Sequence, residues 1–326
     1  MPWQDHLRHA IQSSEELCAL LNLSSDRLPI DSQPDFPVRV PRPFVARMRP
    51  GDPADPLLRQ VLASPLEQQA APGFVTDPLE EHQGVLPGLL HKYRSRVLLI
   101  FRGGCAVNCR YCFRRHYPYQ AETLRQHDLD RVVDYLRQHP EVNEVIFSGG
   151  DPLMADDAAL SHAMRVLAAL PQIQRLRIHT RLPVVIPDRV TEAFVTALGA
   201  LPIPVIVVLH INHAQEIDQA VVDAVSRLRT VCRAVLNQAV VLAGVNDTAT
   251  AQIALSERLF AAGIDPYYLN VLDQVSGASH FAVTPESIGE IHREMLAALP
   301  GYLVPKLVRE VPGVGHKVPW TKALGQ

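Results

Sequence analysis

With 326 residues, 47% of them hydrophobic and 20% charged, the chain has ample core for one large α/β barrel or two ordinary domains. A net charge of −3 excludes a general attraction to nucleic acid, and the longest apolar run, near 205–209, is far too short to span a bilayer. Five cysteines, an odd number with three packed together, do not make a disulfide framework, and a reducing cytoplasm is the expected compartment.

Residues 3–22 are predicted to form one amphipathic helix, with Leu7, Ile11, Leu17, Leu20 and Leu21 on one side and no signal-peptide apolar core. Eight prolines between residues 29 and 56 forbid a regular helix or a central strand there, so this stretch reads as an extended arm laid over something else. Arg39, Arg42, Arg47 and Arg49 on that arm suit either an anionic ligand or solvated surface. A short helix at 56–63 precedes an irregular segment to about residue 88.

From residue 96 apolar, β-branched runs alternate with helical periods. Strands are predicted at 97–101, 144–147, 175–179, 205–210, 234–241 and 267–271. Helices are predicted at 129–138, 158–169, 189–198, 220–231 and 248–262. This pattern implies a parallel sheet buried on both faces, closed into a partial (β/α)6 barrel with its chemistry at the strands' C-terminal ends. A helix over 285–299 and a strand over 302–309 follow. The expected organisation is an N-terminal arm over 1–90, a barrel over 91–280 and a C-terminal segment over 281–326.

The first of those strands leads into Cys105-Ala-Val-Asn-Cys109-Arg-Tyr-Cys112. Clustered thiolates bind soft metals and iron–sulfur clusters, and three of them leave one iron of a four-iron cluster open to a reactant. A closed zinc site competes, with His116 as its fourth ligand, although structural zinc normally takes two short ligand pairs. Ser148-Gly149-Gly150-Asp151 leaves the second strand, and its glycines let a ligand approach the backbone. His179-Thr180-Arg181, His210-Ile211-Asn212-His213, Asn237-Gln238 and Asp273 end later strands, so polar groups recur at one edge. Lys317, on a glycine-flanked loop, is either a solvated cation or a Schiff-base lysine.

These words together resemble the radical S-adenosylmethionine (SAM) enzymes and, more narrowly, the lysine 2,3-aminomutases. The matching stretches include Phe-Val-Ala-Arg-Met-Arg at 44–49, His-Lys-Tyr at 91–93, Cys-Arg-Tyr-Cys-Phe-Arg-Arg at 109–115, Ser-Gly-Gly-Asp-Pro-Leu at 148–153, His-Thr-Arg at 179–181 and Pro-Gly-x-Gly-x-Lys at 312–317. They run in order from about residue 36 to 319. The words at 113–119 look most like the bacterial branch that makes (R)-β-lysine for modification of elongation factor P.

The resemblance implies an isomerase with three cofactors: a [4Fe-4S] cluster, S-adenosyl-L-methionine and pyridoxal 5'-phosphate. Position by position, it implies that Cys105, Cys109 and Cys112 ligate the cluster. Ser148, Gly149, Gly150 and Asp151 would receive the methionyl end. Lys92, Tyr93 and Arg96 would grip pyridoxal phosphate, Lys317 would be its covalent anchor, and His210 would be a further cofactor contact. Arg114 would pair with the substrate carboxylate, and Asp273 with Glu310 would hold the distal ammonium of L-lysine. Glu310 replaces the family's usual aspartate and reaches about 1.5 Å further. The implied partners are an electron donor, elongation factor P and its lysyl ligase, with neither nucleic acid nor membrane. A homo-oligomer stays open. The same chemistry on glutamate and a zinc-stabilised binding module are the alternatives.

Overall fold

The computed structural model describes residues 2–24, 28–125 and 128–320; residues 321–326 of the expected C-terminal segment lie outside them. Among the described residues, nine strands form a single sheet in chain order: β1 (Leu89–Tyr93), β2 (Arg96–Arg102), β3 (Glu144–Gly149), β4 (Arg175–Thr180), β5 (Val205–His210), β6 (Ala234–Val240), β7 (Asp265–Asn270), β8 (Lys306–Arg309) and β9 (Val318–Pro319). Strands β2 to β8 run parallel, while β1 and β9 pair antiparallel at the two edges. Among the described residues β1 and β9 do not pair with each other, so the barrel is partial.

Six helix-bearing crossovers connect the parallel strands. Five of their helices begin at a side chain that accepts a first-turn N–H: Asp156, Thr191, Asp218, Thr248 and Thr284. These caps fix where each crossover turns back, and so which strand ends meet. The expected helix at 189–198 therefore starts later, at Glu192, after a 3₁₀ turn at Pro187–Arg189.

Other expectations are corrected. The helix over 3–22 is two, Trp3–Arg8 and Ser14–Leu20, because Ile11 leaves helical geometry to pair with Val40 through bonds of 2.8 and 2.9 Å. The helix at 56–63 shrinks to Pro56–Arg59, and the strand at 302–309 to Lys306–Arg309. Burial of the sheet on both faces holds for β3 but not for β4 and β6, whose residues alternate between buried and half-buried. Their half-buried faces line the barrel's interior, which is a cavity and not a packed core. One apolar core nonetheless joins Trp3 and Phe44 of the arm to Phe147 of the sheet and Leu307 near the C-terminus.

The proline-rich arm lies on the cysteine loop. Asn108 N–H donates to the Arg39 carbonyl at 3.0 Å, and Arg110 N–H to the Gln60 carbonyl at 2.9 Å. Glu67 accepts from the guanidiniums of Arg110 and Arg115, and both of these flank the Phe36 ring. Of the arm arginines, half-buried Arg47 ties the arm to the barrel through the carbonyls of Val184 and Glu216, and exposed Arg42 pairs with Glu16.

Candidate active site

A cavity of about 310 Å³ opens at the C-terminal ends of the strands. The residues that the resemblance assigns to the cluster, SAM, pyridoxal phosphate and substrate all line it. The cysteine loop enters from β2, and the Gly-Gly turn from β3 packs directly against it. Gly149 has φ +115°, and a Cβ there would lie 2.5 Å from the Arg102 carbonyl. A Cβ on Gly150 would lie 2.5 Å from the Gly104 carbonyl. The glycines are therefore required by the approach of the loop that carries Cys105. Gly150→Ala is expected to destabilise the fold by about 1–3 kcal/mol and to lower iron incorporation, as read by denaturant unfolding and iron analysis.

Asp151 does not face a ligand with its side chain. Its carboxylate accepts from the Thr180 hydroxyl (2.7 and 2.9 Å) and from the backbone N–H of Leu153, Arg181 and Leu182 (3.0, 2.8 and 3.0 Å). It clamps the end of β3 to the end of β4 and leaves the turn's backbone as the surface a ligand would meet.

Cys105, Cys109 and Cys112 all reach the cavity. Burial pushes the thiols of Cys105 and Cys112 up, the latter to about 11, so metal binding would release protons. Among the described residues no three His, Cys, Asp or Glu side chains gather round one point, as a single tetrahedral zinc would need. A cluster takes each thiolate on a separate iron, and the soft donor set suits it. His116 is turned to the Ser276 carbonyl at 3.1 Å and does not line the cavity.

On the opposite side, cations and acids interleave. Lys92 Nζ donates to Glu81 (3.1 Å) and Glu310 (3.0 Å), and the Tyr93 hydroxyl donates to Glu310 (2.8 Å). Arg96 stacks on the Tyr93 ring at 3.9 Å. Lys317 Nζ donates to Asn270 at 3.0 Å and to Glu310 at 3.1 Å. Burial opposes ionisation of Glu310, but the Lys317 and Lys92 ammoniums outweigh it and hold the carboxyl at about 2. Asp273 goes the other way: burial raises it to about 7 against the pull of Lys317. Arg114 donates through Nε to Glu81 (2.8 Å) and through Nη1 to Ser148 Oγ (3.2 Å) and the Gly149 carbonyl (3.3 Å).

His179 stands on this side too. Burial first, then the cations Arg177, Lys317 and Arg114, keep its ring neutral. Its Nε2 is buried with no protein partner. With the basic pair Lys92 and Arg96 and the amine of Lys317, that orphaned nitrogen fits a polar, anionic aromatic cofactor. His210 bonds the Tyr111 hydroxyl at 3.0 Å, stacks on that ring, and is held near 3 by burial and by Arg181.

Sequence reasoning assigned no role to Glu81, Asn270 or Tyr111. Glu81 sits in the irregular segment, where no periodicity announces it. Its partners Lys92 and Arg114 were the available signal, since two buried cations require a carboxylate.

Comparison with known proteins agrees with this geometry. Residues 99–254 match the model of the radical SAM superfamily. The chain is 49% identical to L-lysine 2,3-aminomutase of Escherichia coli, over 99% of this chain and 96% of that protein. It is 47% identical to L-lysine 2,3-aminomutase of Haemophilus influenzae, over 97% and 94%. The protein of the same name from Clostridium subterminale is 33% identical, over 97% of this chain and 77% of its own length. Identity at that level over nearly the whole chain settles the family: this protein belongs to the lysine 2,3-aminomutases, isomerases of the radical SAM superfamily.

Proposed function

We propose that the protein converts L-lysine to (R)-β-lysine with the aid of a [4Fe-4S] cluster, SAM and pyridoxal phosphate, and that the product modifies elongation factor P. The observation that carries this reading is the convergence of three cysteines, a lysine-rich cofactor face and an Asp–Glu pair on one cavity. When bound, the cluster and SAM supply a carbon radical that takes hydrogen from C3 of the substrate, and pyridoxal phosphate supplies the π-system across which the amino group migrates.

The chain's own groups position these partners. Cys105, Cys109 and Cys112 hold the cluster and leave one iron open. The backbone of Ser148, Gly149 and Gly150 receives the methionyl end, with Asp151 fixing the turn. Lys92, Tyr93 and Arg96 take the phosphate, and Lys317 supplies the amine that anchors the cofactor. Glu81 holds Arg114 by its Nε, and Ser148 and Gly149 hold it by Nη1, which leaves Nη2 to meet a substrate carboxylate. Asp273 and Glu310 accept the distal ammonium, and both would repel the side-chain carboxylate of glutamate. An electron donor is required, and a lysyl ligase would consume the product. The likeness of residues 113–119 to the elongation factor P branch supports that last link.

Incubation of reduced holoenzyme with isotopically labelled lysine and glutamate tests the substrate. Lysine alone is expected to yield its β-isomer; conversion of glutamate instead would overturn the assignment. A pH dependence follows from Asp273. Below pH 7 its carboxyl is neutral and attracts an ammonium weakly; above 7 it is ionised. The kcat/KM for lysine is expected to rise with pH up to about pH 7 and then level. Asp273→Asn is expected to lower the plateau and flatten the slope.

A further inference from the structure

We propose that Arg181 is a positioning residue that raises the reduction potential of the cluster through a hydrogen bond to Cys109, an inference that rests on the reading of Cys109 as a cluster ligand. Arg181 follows β4, and its Nη1 lies 2.7 Å from Cys109 Sγ. It is a charged side-chain donor to a sulfur of this loop. The guanidinium has no freedom to turn away. Nη1 also donates to the Tyr111 hydroxyl at 2.7 Å, and Nη2 donates to Gln60 Oε1 at 2.7 Å and to Glu216 Oε2 at 2.9 Å. Four terminal N–H bonds thus meet four acceptors, one of them the thiol sulfur.

Glu216 is fully buried and is fixed in turn by the N–H groups of Asn212 and His213 and by the Gln60 amide. Burial opposes its ionisation, but Arg181 outweighs it and keeps the carboxylate charged. The ion pair is neutral overall, so what Cys109 receives is a directed N–H and not an unbalanced charge. The rings of Phe44 and Tyr111 flank the guanidinium at 5.3 and 5.8 Å and leave little room for competing water.

Reduction adds one negative charge to a cluster, shared by its sulfurs. A donor aimed at a ligating sulfur stabilises the reduced form more than the oxidised one and moves the potential upward. Arg181 also gives its backbone N–H to Asp151 at 2.8 Å, so the residue that touches the cluster ligand is fixed to the turn proposed to hold SAM. Electron acceptance and SAM placement thereby share one anchor.

The test is an EPR-monitored redox titration of anaerobically reconstituted Arg181→Gln and Arg181→Lys proteins with matched iron content and no SAM. Arg181→Gln is expected to disfavour reduction about tenfold, a downward shift near 59 mV for one electron, with Arg181→Lys in between. An intact cluster at the wild-type potential in Arg181→Gln would overturn the inference while leaving the ligand assignment standing. Where Arg181→Gln fails to hold iron, the wild-type protein decides: after ¹⁵N labelling confined to the arginine guanidinium, the reduced cluster is expected to show a ¹⁵N hyperfine coupling, and its absence overturns the inference. Wild-type protein that takes up no iron would remove the ligand assignment itself.

Discussion

Lys317→Ala is expected to abolish the visible absorbance that the protein gains with pyridoxal phosphate, to eliminate turnover, and to leave the iron content unchanged. The lysine lies on the loop between β8 and β9, and its amine reaches across the cavity to Asn270 and Glu310. No other lysine among the described residues lines that space except Lys92, which two carboxylates already hold. Alanine removes one partner of Glu310, but Lys92 and Tyr93 stay bonded to it, so the carboxylate is not left buried and unpaired. The fold should therefore survive with a loss of about 1 kcal/mol, within the net range for one hydrogen bond. Retention of the visible band in this variant would show that another group anchors the cofactor.

Cys112→Ala is expected to have the complementary effect. Two thiolates cannot hold three irons of a cluster, so iron and sulfide should fall toward zero and turnover by more than about 10⁶-fold, the low end of enzymatic acceleration. Pyridoxal phosphate binding should persist, because Lys92 and Tyr93 sit on β1 and Lys317 on the loop between β8 and β9, away from the cysteine loop. Burial raises the Cys112 thiol to about 11, which makes this thiol poorly reactive toward alkylating agents near neutral pH when no metal is bound. Together the two variants separate the iron side of the cavity from the organic-cofactor side. Wild-type iron content in Cys112→Ala would mean that the loop is not the cluster site.

The barrel was legible because β2, β3 and β5 are apolar, β-branched runs, and five crossover helices carry Asp or Thr caps at their starts. The edges were not. β1 contains His91, Lys92 and Tyr93, which present no apolar run, and β9 is only Val318–Pro319. The break between the first two helices depends on Ile11 meeting Val40, a pairing that no local pattern encodes. Among site residues, the cysteines, the Gly-Gly turn, Arg114 and Lys317 stood in recognisable words, and the structure brings all of them to one cavity. Glu81 could not be found the same way: it lies in an irregular loop and matters only because the fold carries it to Lys92 and Arg114. Asp151 was visible as a motif residue, but its clamp on Thr180 and on the start of the next turn requires knowing that β3 and β4 are neighbours.

On the proposed reading, three thiolates hold a cluster whose remaining iron is free to bind SAM. Its most direct test is the EPR spectrum of oxygen-free, reduced wild-type protein before and after addition of SAM, with iron, sulfide and zinc measured on the same sample. Iron and sulfide in equal amounts and a spectrum that shifts when SAM is added are expected. Zinc in place of iron, or a cluster signal that does not change with SAM, would contradict that reading.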